Sequence, residues 1–267
     1  MSPLDVIEGR ARWCVVHGDN AEVLPTLPAK SVAHVITDPP YSEHTHSKQR
    51  RVITAQESEN RYTARGGGAI ASVDLGFDAI TADARDFCAD RFADLTQRWC
   101  LVFSDLESTE AWLSTMVASG LRRWRFGIWN KLNCSPQFSG TGPAVGSEGI
   151  AIAHSVKAMK WNGGGLPARW DFMIAHGGDR AHTTQKPIDL MLRLVELFTD
   201  PDDIILDPFA GSGTTGVAAL RLGRRFIGIE KSEVYAKIAR ERIAAETQGL
   251  SLRDVRAGQL PMFAGGT

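Results

Sequence analysis

The sequence predicts an α/β fold on a mostly parallel sheet, and two features of its 267 residues lead to this prediction. Short apolar runs alternate with amphipathic segments along the chain. Several runs are almost continuously apolar, which is typical of parallel strands covered on both faces. The predicted strands are Trp13–His17, Ala33–Thr37, Trp99–Phe103, Arg125–Trp129, Gly149–Ala153, Ile204–Leu206 and Phe226–Ile229. The predicted helices are Ala84–Ala93, Glu107–Ala118, Pro187–Thr199, Thr214–Leu222 and Glu233–Thr247.

The composition is that of an ordinary globular protein. With 43% hydrophobic and 23% charged residues, the chain falls outside the disordered, collagen-like and coiled-coil classes. No apolar run approaches the roughly 20 residues of a membrane helix. The first 14 residues mix acids and bases and so differ from a signal peptide. The cysteines form no CxxC pair, which predicts reduced core thiols in a cytoplasmic protein and no metal site. They are Cys14, Cys88, Cys100 and Cys134.

The second predicted strand runs directly into Asp38, Pro39, Pro40 and Tyr41. Consecutive prolines keep the backbone extended and remove two N–H donors, so the polar groups here are acceptors. Acceptors beside an aromatic ring suit a planar group that carries an NH₂. The Asp38 carboxylate and the Pro39 carbonyl can take the two amine hydrogens while Tyr41 stacks on the ring. The alternative is a plain turn, because Asp-Pro-Pro is a common turn sequence.

Two long stretches interrupt the alternation of strands and helices. Ser42–Asp78 is polar and locally basic, and Ser155–His182 is rich in glycine. Loops of this length usually have a function or are mobile. We expect both to face the substrate, although surface insertions are the alternative.

The helix after the second stretch begins at Pro187. Within it, Leu190, Leu194 and Leu197 recur at helical spacing. Proline is favourable in the first turn, where its missing N–H is not needed.

A glycine-rich turn follows between the next strand and helix. Gly211, Gly213 and Gly216 match the pattern G-x-G-x-x-G, and Glu230 comes 19 residues after Gly211. This spacing is typical of a dinucleotide-binding unit. An NAD-dependent oxidoreductase is therefore one alternative.

The position of the glycine turn in the chain argues against a dinucleotide. One predicted strand and one predicted helix follow Gly216, so the rest of the sheet must come from earlier residues. Asp207 and Glu230 both lie at carboxyl ends of predicted strands, where α/β folds bind ligands. Two acids suit a cofactor with an ammonium group and a ribose and disfavour a pyrophosphate. A turn needed only for tight packing is the remaining alternative.

Taken together, Asp38–Tyr41 and Asp207–Gly213 resemble the motifs of the DNA amino-methyltransferases, which methylate adenine N6 or cytosine N4. The catalytic motif precedes the cofactor motif, as in the β class of that family. Further matches are Gly18-Asp19, Thr184-Gln185-Lys186-Pro187 and Gly228-Ile229-Glu230. The resemblance spans about Trp13–Ala245. It implies a three-layer, Rossmann-like S-adenosylmethionine-dependent methyltransferase sheet that is mostly parallel and circularly permuted.

The resemblance also implies the roles of the site residues. Asp38, Pro39, Pro40 and Tyr41 would hold the target base. Asp207 and the glycine loop would hold the methionine part of the cofactor, Glu230 its ribose, Asp19 its adenine amine and Lys186 its carboxylate region. The loop residues implied in cofactor binding are Phe209, Ala210, Gly211, Ser212, Gly213 and Thr214.

The same resemblance implies a single domain over 1–267. Its catalytic half would be 13–155, its cofactor-binding half 183–245 and its tail 248–267. Residues 42–80 and 155–182 would form the DNA-facing loops. The second of these is short for target recognition, which leaves a short site, a loose site or recognition through a homodimer.

Double-stranded DNA is the implied partner, although the formal net charge of −1 speaks against a polyanion. Local basic patches are enough for phosphate contact. Acids that bind a cofactor lower the net charge of the chain, so the net charge does not reveal such patches. We expect DNA contact from Lys48, Arg50, Arg51, Arg122 and Arg123. Trp161 and Asn162 would either insert where the base leaves the duplex or anchor their loop. A separate cognate restriction endonuclease remains an expectation.

Several activities remain as alternatives. Asp at the first motif position favours adenine N6 in this family, with cytosine N4 as the nearest alternative. The sequence contains no Pro-Cys pair, so cytosine C5 chemistry is disfavoured. Methylation of a protein amide, an NAD-dependent oxidoreductase and an inactive DNA-binding module are more distant.

Overall fold

The structure is a computed structural model, and it describes residues 1–41, 79–136, 142–155, 159–174 and 185–250. Within these ranges it forms eight strands. They are β1 (Trp13–His17), β2 (His34–Thr37), β3 (Trp99–Ser104), β4 (Arg122–Lys131), β5 (Ser147–His154), β6 (Arg169–Phe172), β7 (Ile204–Asp207) and β8 (Arg225–Glu230). All belong to a single sheet in the order β1-β8-β7-β2-β3-β5-β4-β6.

The sheet is mostly parallel, as predicted. Parallel pairs join β1 to β8, β8 to β7, β7 to β2 and β2 to β3. One strand, β5, runs antiparallel between β3 and β4, and β6 pairs in parallel with β4. The strand order changes direction between β7 and β2, because β7 continues to β8 on one side and β2 to β3 on the other. A ligand crevice forms at the carboxyl ends of parallel strands at such a point.

Helices cover both faces of the sheet. They are α1 (Pro3–Ile7), α2 (Asn20–Val23), α3 (Ala82–Leu95), α4 (Thr109–Ala118), α5 (Ile188–Phe198), α6 (Thr214–Arg221) and α7 (Glu233–Thr247). Single 3₁₀ turns lie at Leu24–Thr26 and Leu106–Ser108.

Two hydrophobic clusters separate the helices into two layers. On one face, α5, α6 and α7 bury Leu194, Val217 and Ile243 against the sheet. On the other, α3 and α4 bury Phe92 and Trp112. Successive strand residues alternate between the two clusters, as the pleat of a strand requires. The three-layer α/β prediction is confirmed.

The structure forms all the predicted strands and helices, with ends shifted by up to three residues. It adds β6, which lies inside the stretch Ser155–His182 that the sequence predicts as a loop. Trp170 is buried at 4% exposure, while its neighbours Arg169 and Asp171 are exposed. A four-residue strand with two charged positions gives almost no apolar signal, so pairing with β4 decides its conformation.

No helix among the described residues is long and apolar enough to cross a membrane. Cys14, Cys88 and Cys100 lie in the buried core, and burial raises the pKa of the Cys14 and Cys88 thiols to about 12. Cys134 is half-buried instead.

Candidate active site

The two predicted motifs meet at the carboxyl edge of the sheet. Asp38 directly follows β2 and Asp207 ends β7, and these strands are paired neighbours. Thr37 Oγ1 donates a hydrogen bond to Asp207 Oδ1 at 2.7 Å. A cavity of about 1140 Å³ opens here, lined by Asp38, Asp207 and the acids Asp19 and Glu230.

The glycine loop turns sharply from β7 into α6. Gly211 and Gly213 have φ angles of 52° and 81°, a region that glycine enters without steric cost. A Cβ at Gly213 would lie 2.9 Å from Ala239 Cβ in α7. At Gly216 a Cβ would collide with Ile243 and Phe226. Gly211 is therefore required by its backbone conformation, Gly216 by close packing and Gly213 by both.

Asp207 is buried at the centre of this turn with 2% exposure. Besides the bond from Thr37, it accepts hydrogen bonds from Thr215 Oγ1 at 2.6 Å and from the Phe209 backbone N–H at 3.1 Å. Burial raises the pKa of Asp207 to about 6, against the effect of these donors. The carboxylate fixes the glycine loop to the end of β2.

Glu230 ends β8 and Asp19 lies two residues after β1, and both line the cavity. Glu230 accepts hydrogen bonds from the Gly211 and Ser232 backbone N–H groups, both at 2.8 Å. Asp19 caps α2 and lies 2.8 Å from Lys231 Nζ. The hydrogen bond from Lys231 lowers the pKa of Asp19.

The two carboxylate oxygens of Asp38 differ in their hydrogen bonding. Oδ2 accepts a hydrogen bond from Lys186 Nζ at 2.6 Å. Oδ1 is buried and has no hydrogen-bond partner among the described residues. An unsatisfied buried acceptor costs about 1–3 kcal/mol. Oδ1 is therefore an acceptor ready for a donor.

Lys186 lies on the side of Asp38 and Tyr41, which corrects its expected role at the cofactor carboxylate. Its ammonium contacts Asp38 Oδ2, Tyr41 Oη at 3.1 Å and Glu148 Oε2 at 3.2 Å. An ammonium has three N–H donors, so these three acceptors use all of them. Its buried position within this cluster leaves no donor for a cofactor carboxylate.

Tyr41 and Glu148 complete the cluster around Lys186. Tyr41 Oη donates a hydrogen bond to Glu148 Oε2 at 2.6 Å, and Lys131 Nζ lies 2.6 Å from Glu148 Oε1. The Lys186 ammonium lies 5.3 Å from the Tyr41 ring centroid and 5.2 Å from that of Phe103. Aromatic faces and paired acids thus surround a buried cation.

Burial and charge pairing act in opposite directions on this cluster. Burial raises the pKa of Asp38, and Lys186 opposes this effect. Burial alone would lower the pKa of Lys186, but Asp38 and Glu148 outweigh it and raise that pKa. Burial also raises the pKa of Tyr41 well above its usual value. Lys186 and Tyr41 therefore keep their protons.

Arg122 and Arg123 lie far from the cavity, and their expected contact with DNA stays a prediction. They begin β4, whereas Lys131 ends it beside the cavity. At about 3.3 Å per residue, this ten-residue strand spans about 30 Å. Arg123 also forms a two-pronged ion pair with Glu110, at 2.6 and 2.9 Å.

Trp161 and Asn162 anchor their loop, which is one of the two roles that the sequence leaves open, and their contact with DNA stays a prediction. The Trp161 ring packs on the Phe198 ring at 4.8 Å between centroids. Asn162 Nδ2 donates hydrogen bonds to the carbonyls of Thr199 and Glu196, at 2.9 and 3.2 Å. These contacts fix the loop to the carboxyl end of α5, away from the cavity. Lys48, Arg50 and Arg51 lie outside the described residues.

Sequence reasoning missed three polar contributors to the cavity. Glu148, Lys131 and Thr37 belong to strands, where charged or hydroxyl side chains carry no recognisable motif. The available signal was a single acid immediately before the apolar run Gly149–Ala153. Its meaning depends on the pairing of β5 with β4, which the sequence does not specify.

Comparisons with known proteins find similarity to DNA methyltransferases. A family model described as DNA methylase matches residues 123–241. The type II methyltransferase M.HinfI of Haemophilus influenzae is 29% identical over 264 residues, covering 86% of this chain and 67% of that protein.

Two solved structures share the fold. The M1.HpyAVI–SAM complex aligns with a TM-score of 0.64 at 24% identity, covering 86% of this chain and 98% of that one. The cytosine-N4-specific PvuII DNA methyltransferase also gives 0.64, at 16% identity and 94% coverage of both chains. The two structures show the fold, and the family model and M.HinfI, together with the ordered motifs, support a DNA amino-methyltransferase.

Proposed function

We propose that this protein transfers a methyl group from S-adenosylmethionine to N6 of an adenine flipped out of double-stranded DNA. The observation that carries the proposal is the Asp38 carboxylate. One of its oxygens is fixed by Lys186, and the other is a buried acceptor without a partner among the described residues. It borders the same cavity as the glycine loop.

The residues around the glycine loop suit S-adenosylmethionine. This cofactor presents an ammonium, ribose hydroxyls and an adenine amine, all hydrogen-bond donors. The cavity offers acids at Asp19, Asp207 and Glu230, which would hold these groups together with the loop from Phe209 to Thr214. The same acids would repel the pyrophosphate of NAD, which disfavours the oxidoreductase alternative. When bound, S-adenosylmethionine supplies an electrophilic methyl group on its sulfonium.

Asp38 and Pro39 suit an exocyclic base amine. The lone pair of such an amine is delocalised into the ring, so the nitrogen is a poor nucleophile. Hydrogen bonds to Asp38 Oδ1 and to the Pro39 carbonyl would favour a pyramidal nitrogen and expose the lone pair. Holding the amine in this orientation supplies a large part of the rate.

Asp38 is also the group of this cluster suited to take the amine proton. Lys186 and Tyr41 hold their own protons, while burial raises the pKa of Asp38. A carboxyl with a raised pKa is a better base than an ordinary aspartate.

Tyr41 provides a surface for the flipped base. Extrusion of a base costs a few kcal/mol, and stacking on an aromatic ring returns about 1–3 kcal/mol. The hydroxyl of Tyr41 is tied to Glu148, so its ring is held in place before the base arrives. This reduces the ordering cost of binding.

Adenine is favoured over cytosine by the acid at position 38, since Asp at that place of the motif favours adenine N6 in this family. Cytosine N4 is the alternative, because the chemistry of the two amines is the same. An inactive DNA-binding module is disfavoured, because a binder needs no amine acceptor. The division of the chain into halves, a homodimer and a partner endonuclease remain proposals.

The test is transfer of label from methyl-tritiated S-adenosylmethionine into unmethylated duplex plasmid. We expect labelled DNA whose nucleosides contain N6-methyladenine, and N4-methylcytosine would establish the alternative. Absence of label in DNA contradicts the proposal. Asp38→Ala is the matched control, and undiminished labelling by that variant refutes the role of Asp38.

A further inference from the structure

Glu148 and Lys131 form a charged pair that lines the same cavity as Asp38 and Tyr41, and neither contacts Asp38 directly among the described hydrogen bonds and ion pairs. Glu148 lies in β5 and Lys131 ends β4, and these two strands pair antiparallel. Glu148 is buried at 9% exposure. A buried ion pair is a weak source of stability, because desolvation offsets the attraction between its charges. Stability alone therefore does not explain this pair.

The charges alternate in sign from the half-buried Lys131, through the buried Glu148 and Lys186, to the half-buried Asp38. Lys131 contacts Glu148 at 2.6 Å, Glu148 contacts Lys186 at 3.2 Å, and Lys186 contacts Asp38 at 2.6 Å. Two cations and two anions sum to zero formal charge. Removal of any member leaves an unbalanced charge in a buried site.

Glu148 determines where the Lys186 ammonium can point. Its Oε2 attracts Lys186 Nζ and accepts the Tyr41 hydroxyl, which is itself the third partner of Lys186. Without the Glu148 charge, the attraction that holds Lys186 Nζ on this side weakens, and the Tyr41 hydroxyl loses its carboxylate acceptor. The nearest unsatisfied buried acceptor of the cluster is Asp38 Oδ1. The ammonium would then bridge both Asp38 oxygens, as carboxylates readily allow.

We propose that Glu148 is a positioning residue, with Lys131 as its counter-ion, that holds Lys186 on Asp38 Oδ2 and so keeps Oδ1 free for the base amine. This inference rests on the proposed function, because the amine is the ligand for which Oδ1 is kept free. Glu148 acts through Lys186 and Tyr41 and does not itself meet the base.

The test compares Glu148→Gln with wild type in kinetics and in crystal structure. Because Asp38 would lose its free oxygen, we expect kcat to fall about a hundredfold, with KM for S-adenosylmethionine within about twofold. The acidic limb of the pH–rate profile should move to lower pH, because the Glu148 charge raises the pKa of Asp38. A merely structural role would lower the rate equally at all pH values.

The matched control is Glu110→Gln, which removes an acid paired with Arg123 outside the cavity. Its kcat and pH profile should equal those of wild type. Thermal unfolding and S-adenosylmethionine affinity establish that both variants are folded. If Glu148→Gln does not fold, Lys131→Met is measured in its place, and Lys186 should then be drawn from Asp38 towards the uncompensated Glu148.

A crystal structure of Glu148→Gln gives the readout that does not depend on activity. We expect Lys186 Nζ within hydrogen-bond distance of Asp38 Oδ1. A Lys186 that stays on Oδ2 alone, or a kcat within about twofold of wild type, overturns the inference. If wild type transfers no label to DNA, the proposed function fails, and the position of Lys186 in the variant alone decides the role of Glu148.

Discussion

Asp38 and Asp207 occupy equivalent places at the ends of neighbouring strands, yet their partners differ. Asp207 accepts hydrogen bonds from two hydroxyls and one backbone N–H, all neutral donors. Asp38 is held by one ammonium and keeps an oxygen without a partner among the described residues. Thr37, the residue before Asp38, joins the two through its bond to Asp207.

This difference in partners indicates two kinds of carboxylate, one that holds a loop in shape and one that can accept a hydrogen bond from a substrate. A carboxylate whose oxygens are bound by fixed neutral donors holds a loop in shape and can still face a cation with its charge. A carboxylate with one free oxygen can accept a new donor. Asp207 ends β7 and is 2% exposed, whereas Asp38 follows β2 with a side chain that is 28% exposed, so burial as well as partners distinguishes the two carboxylates.

The largest effect is expected from Asp38→Asn. The amide keeps the shape of the side chain but loses the charge and adds N–H donors that face the base amine. Methyl transfer should fall on the order of a thousandfold, while the Kd for S-adenosylmethionine stays unchanged by calorimetry. A loss of affinity for S-adenosylmethionine as large as the loss of methyl transfer would show that Asp38 also binds the cofactor.

A pH-dependent cofactor affinity is the next effect. With a pKa of about 6, Asp207 is ionised above pH 6 and neutral below it, and only the ionised form attracts an ammonium. The affinity for S-adenosylmethionine should therefore be full above pH 6 and about tenfold weaker at pH 5. Asp207→Asn should bind weakly with no dependence over this range. A wild-type affinity constant from pH 5 to 7 contradicts the assignment.

Two variants of Tyr41 separate the contribution of its ring to activity from that of its hydroxyl. Tyr41→Phe loses the bonds to Glu148 and Lys186 but keeps the stacking surface, so activity should fall by about tenfold or less. Tyr41→Ala should lose more and raise the KM for duplex DNA, because the ring is gone. Equal losses in the two variants would show that the hydroxyl is what matters.

The smallest effect is expected from Thr37→Val, which removes the bond between the two motifs at nearly constant volume. Because this bond lowers the pKa of Asp207, the midpoint of the affinity profile should rise by less than about one pH unit. A midpoint that moves down would show that Thr37 does not stabilise the ionised form.

Much of the fold could be predicted because its signals are local. Apolar runs and turns fixed the strands, and the rule that parallel strands end at one edge brought Asp38 near Asp207. The glycines of the loop were recognised by spacing, and the structure supplies the reason, since two have positive φ angles and one faces Ile243 and Phe226.

Other parts of the site depend on contacts between distant residues and could not be predicted. The place of Lys186 follows from acceptors on two separate strands, Asp38 after β2 and Glu148 in β5. The place of Trp161 follows from the ring of Phe198. The position of Arg122 at the start of β4, at the opposite end of the strand from the cavity, depends on the pairing of β4 with β5.

The balanced chain of charges at the proposed base site, with Glu148 and Lys186 buried at its centre, has a consequence for the effect of ionic strength. Mobile salt ions screen exposed charges over about 10 Å at 0.1 M but act little on buried pairs. The attraction between the protein and DNA phosphates should weaken steeply as salt rises. The methyl-transfer rate of an already assembled complex should hardly change, so a salt titration separates recognition of the duplex from chemistry on the base.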